Sequence, residues 1–376
     1  MNFGFSEEQE HLRKTVRDVL TECAPMKRVR EVMEDSDTSV DSALWQQMAQ
    51  LGWLGLSFPE SSGGADLSLI EQCIVLEELG RVLAPTPFLP TAIAADAILQ
   101  LGSAAQQAEW LPRIAAGEVK ASVALTEESG DAAADLSLAA TGRDDGFALS
   151  GRKLFVPDAG NADLLLVVAR TGGEGEKGLA AFLVPAGAAG VSVESRVAMD
   201  LLRPLSTVSF ENVALPSAAL LGGYPDAGRA LQRVLDRARV MICAESVGAA
   251  ERCLEESVQY AKERVQFGKP IGVNQAIKHK CADMLLAVES SKSITYYAAW
   301  AAEHSEDEAA LTASMAKSYV SDAFRTVAAE NIQIHGGVGF TWEYDCHLFF
   351  KRAKSDESWL GDGTEHRERV ARLLNL

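Results

Sequence analysis

Residues 146–170 read GFALSGRKLFVPDAGNADLLLVVAR, two short runs rich in Val, Leu and Phe with Pro, Asp, Gly and Asn between them. Apolar runs of this length and composition predict strands, and the interruptions predict turns. Similar runs occur on both sides, from about residue 120 to residue 216. We therefore predict an all-β segment of about a hundred residues in the middle of the chain, a small barrel or sandwich.

The two flanks of this segment have a helical period instead. Apolar residues recur at threes and fours over 6–22, 41–51, 68–83, 91–101 and 103–116, and again over 228–264, 273–304, 307–334 and 344–354. Long Ala-rich helices with short connections indicate a bundle. The predicted fold is α+β and mostly α: an N-terminal helical domain (1–118), a β-barrel or sandwich domain (119–225) and a C-terminal four-helix bundle (226–376).

Composition and charge narrow the classes of partner. Of 376 residues, 47% are hydrophobic and 23% are charged, and the net charge of −18 argues against nucleic acid or an anionic membrane as the main partner. The N-terminal MNFGFSEEQEHLRK has acids where a signal peptide would have an apolar run. Six widely spaced cysteines without a CxxC pair argue against a zinc site or a disulfide framework. These features predict a cytoplasmic protein without a metal.

The stretch SWLGDGTEHRERV, residues 358–370, places a single acid, Asp362, between two glycines. Glycines permit sharp turns and give close access to a neighbouring carboxylate. Asp between glycines is also a common turn residue. From these residues alone, both a turn residue and a catalytic base on a tight loop stay open.

Three further stretches have residues suited to an anion or a flat ring. In QYAKERVQFGKPIGVNQ, 259–275, Arg264 could partner the helix macrodipole or reach a phosphate with its planar fork. In NIQIHGGVGFTWEY, 331–344, two adjacent glycines make a turn whose amides could meet a pyrophosphate, although many helices end in such a turn. In SVALTEESGDAAAD, 122–135, Thr126 ends a strand before a small-residue loop that a flat ring could approach.

Taken in order, these stretches resemble the acyl-CoA dehydrogenase family of flavoenzymes over nearly the whole chain. The likeness includes PESSGGADLS and LEELGR in the first helical part, SGRKLFVPDAGNADLLLVVAR and VSFENVALP in the sheet, and RVQFGKPI, Gln275 and QIHGGVGFT in the bundle. The resemblance implies a helical domain, a β-domain and a four-helix bundle, usually assembled as a tetramer. It also implies FAD between the β-domain and the bundle, and oxidation of an acyl-CoA to its enoyl-CoA.

The resemblance further implies a role for each matching residue. Asp362 stands just before a Gly-Thr pair, where the family commonly has glutamate, and would take the α-proton while flavin N5 takes hydride from the β-carbon. Asp236 and Arg239 match a pair near the CoA end of the acyl pocket, or they form a simple i,i+3 ion pair. The implied FAD contacts are Thr126, Phe155, Arg264, Phe267, Gln275 and Thr364, with Gln333, Gly336 and Gly337 supplied by a neighbouring subunit.

The chain departs from the family pattern at four places. The aspartate base is one methylene shorter than glutamate, and a displacement of about 1 Å can lower a rate about a hundredfold. Relatives with the base on the long helix place it at the position of Ala238, which cannot act as a base. Pro157 stands where a Thr or Ser usually bonds flavin N5, and it has neither hydroxyl nor N–H. ESGDAAAD, 128–135, replaces the usual Gly-Ser-Asp loop.

These observations predict an FAD-dependent acyl-CoA dehydrogenase, with electron-transferring flavoprotein as acceptor by resemblance. The aspartate base indicates a short, branched, cyclic or steroid-derived acyl group. One alternative is a non-catalytic partner subunit of a mixed tetramer, which Pro157 favours and the intact Arg264, Gln275 and Gln333 set disfavours. A second alternative is a flavin-containing lyase that eliminates a substituent from an acyl-CoA without net oxidation.

Overall fold

The computed structural model describes residues 4–35, 39–128, 136–172, 178–222 and 227–376. The chain separates into two compact units. The first, called here the bundle unit, consists of Met1–Glu34, Leu69–Ala84 and Arg239–Leu376, and the second, the sheet unit, consists of Asp35–Ser68 and Pro85–Ala238. The domain boundaries inferred from the sequence stay a prediction.

Eleven α-helices occur in the described residues. They are α1 (Glu7–Cys23), α2 (Met26–Glu34), α3 (Ser42–Gln50), α4 (Leu69–Arg81), α5 (Phe88–Leu101), α6 (Ala104–Ala115), α7 (Ala227–Glu263), α8 (Gln275–His304), α9 (Glu306–His335), α10 (Cys346–Ser358) and α11 (Gly363–Leu373). In the bundle unit, α9 packs against α8, α10 and α11, and its small residues Ala313 and Ala316 and the larger Val320 and Phe324 are all buried. Helical periodicity of small and large apolar residues therefore gives α9 its central place in this unit.

The strands of the sheet unit are β1 (Ala121–Ala124), β2 (Ala139–Arg143), β3 (Gly146–Pro157), β4 (Leu164–Arg170), β5 (Leu179–Pro185), β6 (Val191–Arg196), β7 (Leu205–Pro216) and β8 (Leu220–Leu221). They form one sheet in the order β6-β7-β3-β2-β4-β5-β8, with β1 paired in parallel to β4. Leu149, Val167, Phe182 and Val208 are fully buried in its core. β4 and β5 are near-continuous apolar runs because almost every residue in them is buried.

The predicted fold class is confirmed: helices at both ends of the chain and a sheet in the middle. Helices α2 and α11 were not predicted. In α2 the buried stripe is only Val29, Val32 and Met33, amid charged residues, which is too short to give a clear period. None of the helices among the described residues is both long and apolar enough to cross a membrane.

Candidate active site

Asp362 ends the short loop that joins α10 to α11, and it is the N-cap residue of α11. Its Oδ1 accepts the N–H of Thr364 at 2.7 Å and that of Glu365 at 2.9 Å. Glu365 accepts the N–H of Asp362 in return at 3.2 Å, which completes a capping box. Both bonds to the carboxylate reach Oδ1, so Oδ2 takes no part in the capping, and the residue is exposed.

The loop before Asp362 has an unusual backbone. Leu360 and Gly361 have φ of +63° and +94°, a region that glycine enters freely and that costs a leucine on the order of 1 kcal/mol or more. A Cβ on Gly361 would lie 2.8 Å from Nε2 of His366. Position 361 therefore requires glycine both for its dihedral angle and for the close approach of the histidine ring.

Side chains from three helices hold this loop and the end of α10 that leads into it. Nε of Arg239, on α7, donates to the carbonyl oxygen of Leu360 at 3.2 Å, and Nε2 of His366, on α11, lies 2.8 Å from the same oxygen. Nζ of the buried Lys317, on α9, donates to the carbonyl oxygens of Asp356 at 2.8 Å and Glu357 at 3.2 Å at the end of α10. Arg239, Asp362 and Thr364, predicted from different parts of the sequence, are thus brought together in the bundle unit.

The other residues predicted near the acyl-CoA lie on α7. Asp236 and Ala238 are buried residues of the sheet unit, and Arg239, which is half-buried, begins the α7 part of the bundle unit. The hydrogen bond from Arg239 to the carbonyl oxygen of Leu360 links Arg239 to the loop of Asp362. Contact of Asp236 and Arg239 with CoA stays a prediction.

A hairpin follows α7 and carries the residues predicted to meet the adenosine and pyrophosphate. β9 (Val265–Gln266) pairs with β10 (Lys269–Pro270), and the turn residues Phe267 and Gly268 have φ of +51° and +76°, as in type I′ turns. The side chain of Phe267 is completely exposed. Gln275 is the first residue of α8, so Arg264, Phe267 and Gln275 lie on one short exposed segment.

The predicted glycine turn lies directly after α9. Gly336 has φ +68°, and its N–H donates to the carbonyl oxygens of Gln333 and Ile332. A methyl group at either Gly336 or Gly337 would meet nothing within 4 Å. The ring of His335 stacks on that of Tyr260 at 4.1 Å, which places this turn beside the end of α7 that leads to Arg264.

In the sheet unit, a backbone hydrogen bond joins Thr126 to Leu154, the residue before Phe155. The N–H of Leu154 donates to the carbonyl oxygen of Thr126 at 2.8 Å. The pairing of β3 with β7 is irregular between Lys153 and Val156, and Phe155 has φ +53° with 56% of its side chain exposed. A bulge thus turns Phe155 out of the sheet next to Thr126. Residues 129–135 of the altered loop lie outside the described part of the chain.

A buried ion pair close to these two residues in the chain, between Lys153 and Glu127, was not predicted. Nζ of Lys153, 0% exposed, donates to Glu127 at 2.6 Å and to the carbonyl oxygen of Leu125 at 2.9 Å. Glu127 also accepts the N–H and the hydroxyl of Ser137, each at 2.7 Å. Burial lowers the pKa of Lys153 to about 8, against the influence of Glu127, which raises it. A lysine inside an apolar strand was the sequence signal for this pair.

The residues matched to FAD are suited to that group. Arg264, Phe267, Gln275 and Gln333 are exposed, and they offer a cation, an aromatic ring and amide groups, which are donors or stacking surfaces for phosphate and adenine. The space above Gly336 and Gly337 is open to a backbone approach.

Comparison with known proteins identifies the family. The models of the acyl-CoA dehydrogenase N-terminal, middle and C-terminal domains match residues 6–118, 122–213 and 227–374. An acyl-CoA dehydrogenase of Bacillus subtilis (strain 168) is 32% identical over 377 residues and the match covers 98% of each chain. A solved structure of the Tcur3481–Tcur3483 steroid ACAD is 33% identical, with a TM-score of 0.90 and 98% of both chains covered.

The ChsE4–ChsE5 complex of Mycobacterium tuberculosis is 29% identical, with a TM-score of 0.91, and the match covers 100% of this chain and 99% of that one. All three family models and full-length relatives thus agree with the fold. Tetramers are typical of this family, and its cofactor is FAD. The chain belongs to the acyl-CoA dehydrogenase family and is an FAD-dependent oxidoreductase that acts on acyl-CoA.

Proposed function

We propose that the chain catalyses α,β-dehydrogenation of an acyl-CoA thioester to the enoyl-CoA, with Asp362 as the base that takes the α-proton. The observation that carries this proposal is the carboxylate of Asp362, whose Oδ1 is held by two backbone N–H groups while Oδ2 stays out of the capping bonds on an exposed residue. A general base needs a positioned and accessible oxygen atom. When bound, FAD supplies the hydride acceptor.

In this proposal the remaining residues bind and orient FAD and the acyl-CoA. Arg264, Phe267 and Gln275 bind the pyrophosphate and adenosine of FAD, and Gln333, Gly336 and Gly337 do so for a neighbouring subunit. Thr126, Phe155 and Thr364 contact the flavin. Asp236 and Arg239 lie near the CoA end of the acyl pocket. We propose electron-transferring flavoprotein as the acceptor, following the family resemblance.

The length of the base bears on the substrate. Aspartate reaches about one C–C bond less far than glutamate, and about 1 Å of displacement can lower a rate about a hundredfold. An acyl group whose shape brings its α-carbon closer to α11 would offset this loss. We propose a short, branched, cyclic or steroid-derived acyl group, and the similarity to a steroid ACAD supports the last of these.

The test is the visible spectrum of the purified protein and of Asp362→Asn, before and after mixing with straight, branched, cyclic and steroid-side-chain acyl-CoAs. Asparagine keeps an oxygen that can cap α11, so the fold is retained while the base is lost. We expect the wild type to bleach with one class of acyl-CoA. The variant should stay yellow although it still binds that acyl-CoA. A variant that bleaches at the wild-type rate would overturn the assignment of Asp362.

A matched control is Asp307→Asn, which changes an exposed aspartate in the first turn of α9. This change should leave the bleaching rate unaltered. A lyase would release product from a substituted acyl-CoA with no electron acceptor present, so product analysis under those conditions separates the two reactions.

The second candidate is a partner subunit of a mixed tetramer. Pro157 at the position of the usual hydroxyl residue favours it, and the ChsE4–ChsE5 complex is a similar protein made of two chains. A chain that is colourless when purified alone, and becomes yellow only when co-expressed with a second acyl-CoA dehydrogenase chain, would support this candidate against the stand-alone enzyme.

A further inference from the structure

We propose that His366 is a positioning residue for Asp362, because its imidazole holds the loop that sets the direction of the carboxylate. This inference rests on the proposed function, in which Asp362 is the base. His366 touches neither substrate nor cofactor in this assignment. It acts through the backbone of residues 360–362.

His366 forms hydrogen bonds with the loop on both sides of Gly361. Its backbone N–H donates to the carbonyl oxygen of Asp362 at 3.0 Å, as expected in the first turn of α11. Its side chain reaches back to the carbonyl oxygen of Leu360, where the distance from Nε2 is 2.8 Å. The imidazole is 2% exposed, so water does not compete for this bond.

The loop that His366 holds would not keep its conformation by itself. Leu360 has a positive φ of +63°, which is strained for a residue other than glycine, and strained dihedrals persist only where the surroundings hold them in place. Arg239 donates to the same carbonyl oxygen at 3.2 Å. The two donors come from α7 and α11 and meet at one atom, two residues before the base.

The protonation state of the ring follows from its partners. Nε2 faces a carbonyl oxygen, which only accepts, so Nε2 carries the hydrogen. Nδ1 is buried and has no partner among the described residues. Burial, together with the neighbouring cations Arg239, Lys317 and Arg369, lowers the pKa of His366 to about 3, against the hydrogen bond to Leu360, which raises it. The ring is therefore a neutral hydrogen-bond donor near neutral pH and does not exchange protons during turnover.

The test compares two variants of similar size. In His366→Gln the amide N–H can occupy the place of Nε2, whereas His366→Leu fills the space without a donor. We expect His366→Leu to lower the rate constant of flavin bleaching by about 10- to 100-fold, with the Kd for acyl-CoA changed less than about threefold. His366→Gln should recover most of the rate, with an unchanged pH profile of bleaching.

The inference would be overturned by a wild-type bleaching rate in His366→Leu, or by equal losses in the leucine and glutamine variants. If His366→Leu does not retain flavin, His366→Asn takes its place, since its shorter amide cannot reach Leu360. His366→Asn should then have a low rate constant of flavin bleaching, and His366→Gln a high one.

Two further measurements complete the design. His304→Leu is the matched control, because His304 is exposed on α8 and its ring bonds the carbonyl oxygen of Trp300 at 2.9 Å; its rate should equal that of the wild type. The Asp362→Asn variant separates the two proposals. If it bleaches normally the proposed base is wrong, whereas an inactive Asp362→Asn beside a fully active His366→Leu contradicts only the role of His366.

Discussion

The backbone N–H of Thr364 donates to Oδ1 of Asp362 at 2.7 Å. The predicted base and a predicted flavin contact are therefore joined by a hydrogen bond that also begins α11. Because Oδ1 caps the helix and Oδ2 does not, Asp362→Asn can keep the cap of α11 while it removes the proposed base.

We expect Asp362→Ala to lower the free energy of unfolding by about 1 kcal/mol, and Asp362→Asn by only a few tenths, because asparagine still caps a helix. Urea unfolding of both variants measures the difference. Equal losses in the two variants would mean that the cap bonds do not stabilise α11.

Replacing Gly361 by alanine should be more harmful than its size suggests. The new Cβ would lie 2.8 Å from Nε2 of His366, at φ +94°, and such strain costs on the order of 1–3 kcal/mol. We expect Gly361→Ala to lower both the melting temperature and the bleaching rate. Gly142→Ala is the control, because a Cβ added at this residue of β2 would meet nothing within 4 Å. A similar melting temperature in both variants would contradict the prediction.

Substitutions of the buried pair Lys153 and Glu127 should have effects on the free energy of unfolding that depend strongly on each other. Glu127→Gln leaves a buried ammonium group without its counter-charge and should lower the free energy of unfolding by about 3 kcal/mol. The double variant Lys153→Met/Glu127→Gln removes that group and should be more stable than Glu127→Gln alone. Denaturant unfolding measures the free energy of unfolding of each variant. A double variant whose loss of free energy equals the sum of the two single losses would contradict the prediction.

The exposed Phe267 should matter for FAD and not for folding. Asparagine tolerates the left-handed conformation better than phenylalanine, so Phe267→Asn should keep the melting temperature of the apoprotein. The Kd for FAD, followed by fluorescence of released flavin, should rise because a stacking surface is lost. Val197→Asn, at another fully exposed apolar position, should leave the Kd for FAD unchanged. Equal FAD affinities in the two variants would argue against a contact at Phe267.

His366 also predicts a pH dependence of stability. Its pKa falls from 6.5 to about 3 on folding, so between these values the unfolded state binds a proton that the native state does not. The unfolded state does not bind this proton above pH 6.5. As the pH falls from 6.5 towards 3, its binding to the unfolded state lowers the free energy of unfolding. The stability of the wild type relative to His366→Gln should therefore decrease between pH 7.5 and 5. A constant difference in urea unfolding would contradict the lowered pKa.

Part of the fold follows from local sequence patterns. The run LAAFLVP coincides with β5, and Ser6 with Gln9 forms a capping box at the start of α1. These features depend on neighbours within a few residues, so the sequence alone contains the needed information. The roles predicted for Asp362 and for the residues matched to FAD came from family resemblance, because the local sequence around Asp362 is also that of a turn residue.

The sequence by itself determined that helices lie on both sides of a central run of strands, and it indicated the family and the residues that the resemblance matches to cofactor and base. Only the tertiary structure decided that Arg239 and His366, separated by more than a hundred residues, donate to one carbonyl oxygen beside the base. It likewise decided that Lys153 finds its counter-charge in Glu127. Such contacts join elements distant in the chain, and no period or motif encodes them, because they depend on how packed helices and strands orient buried polar groups towards each other.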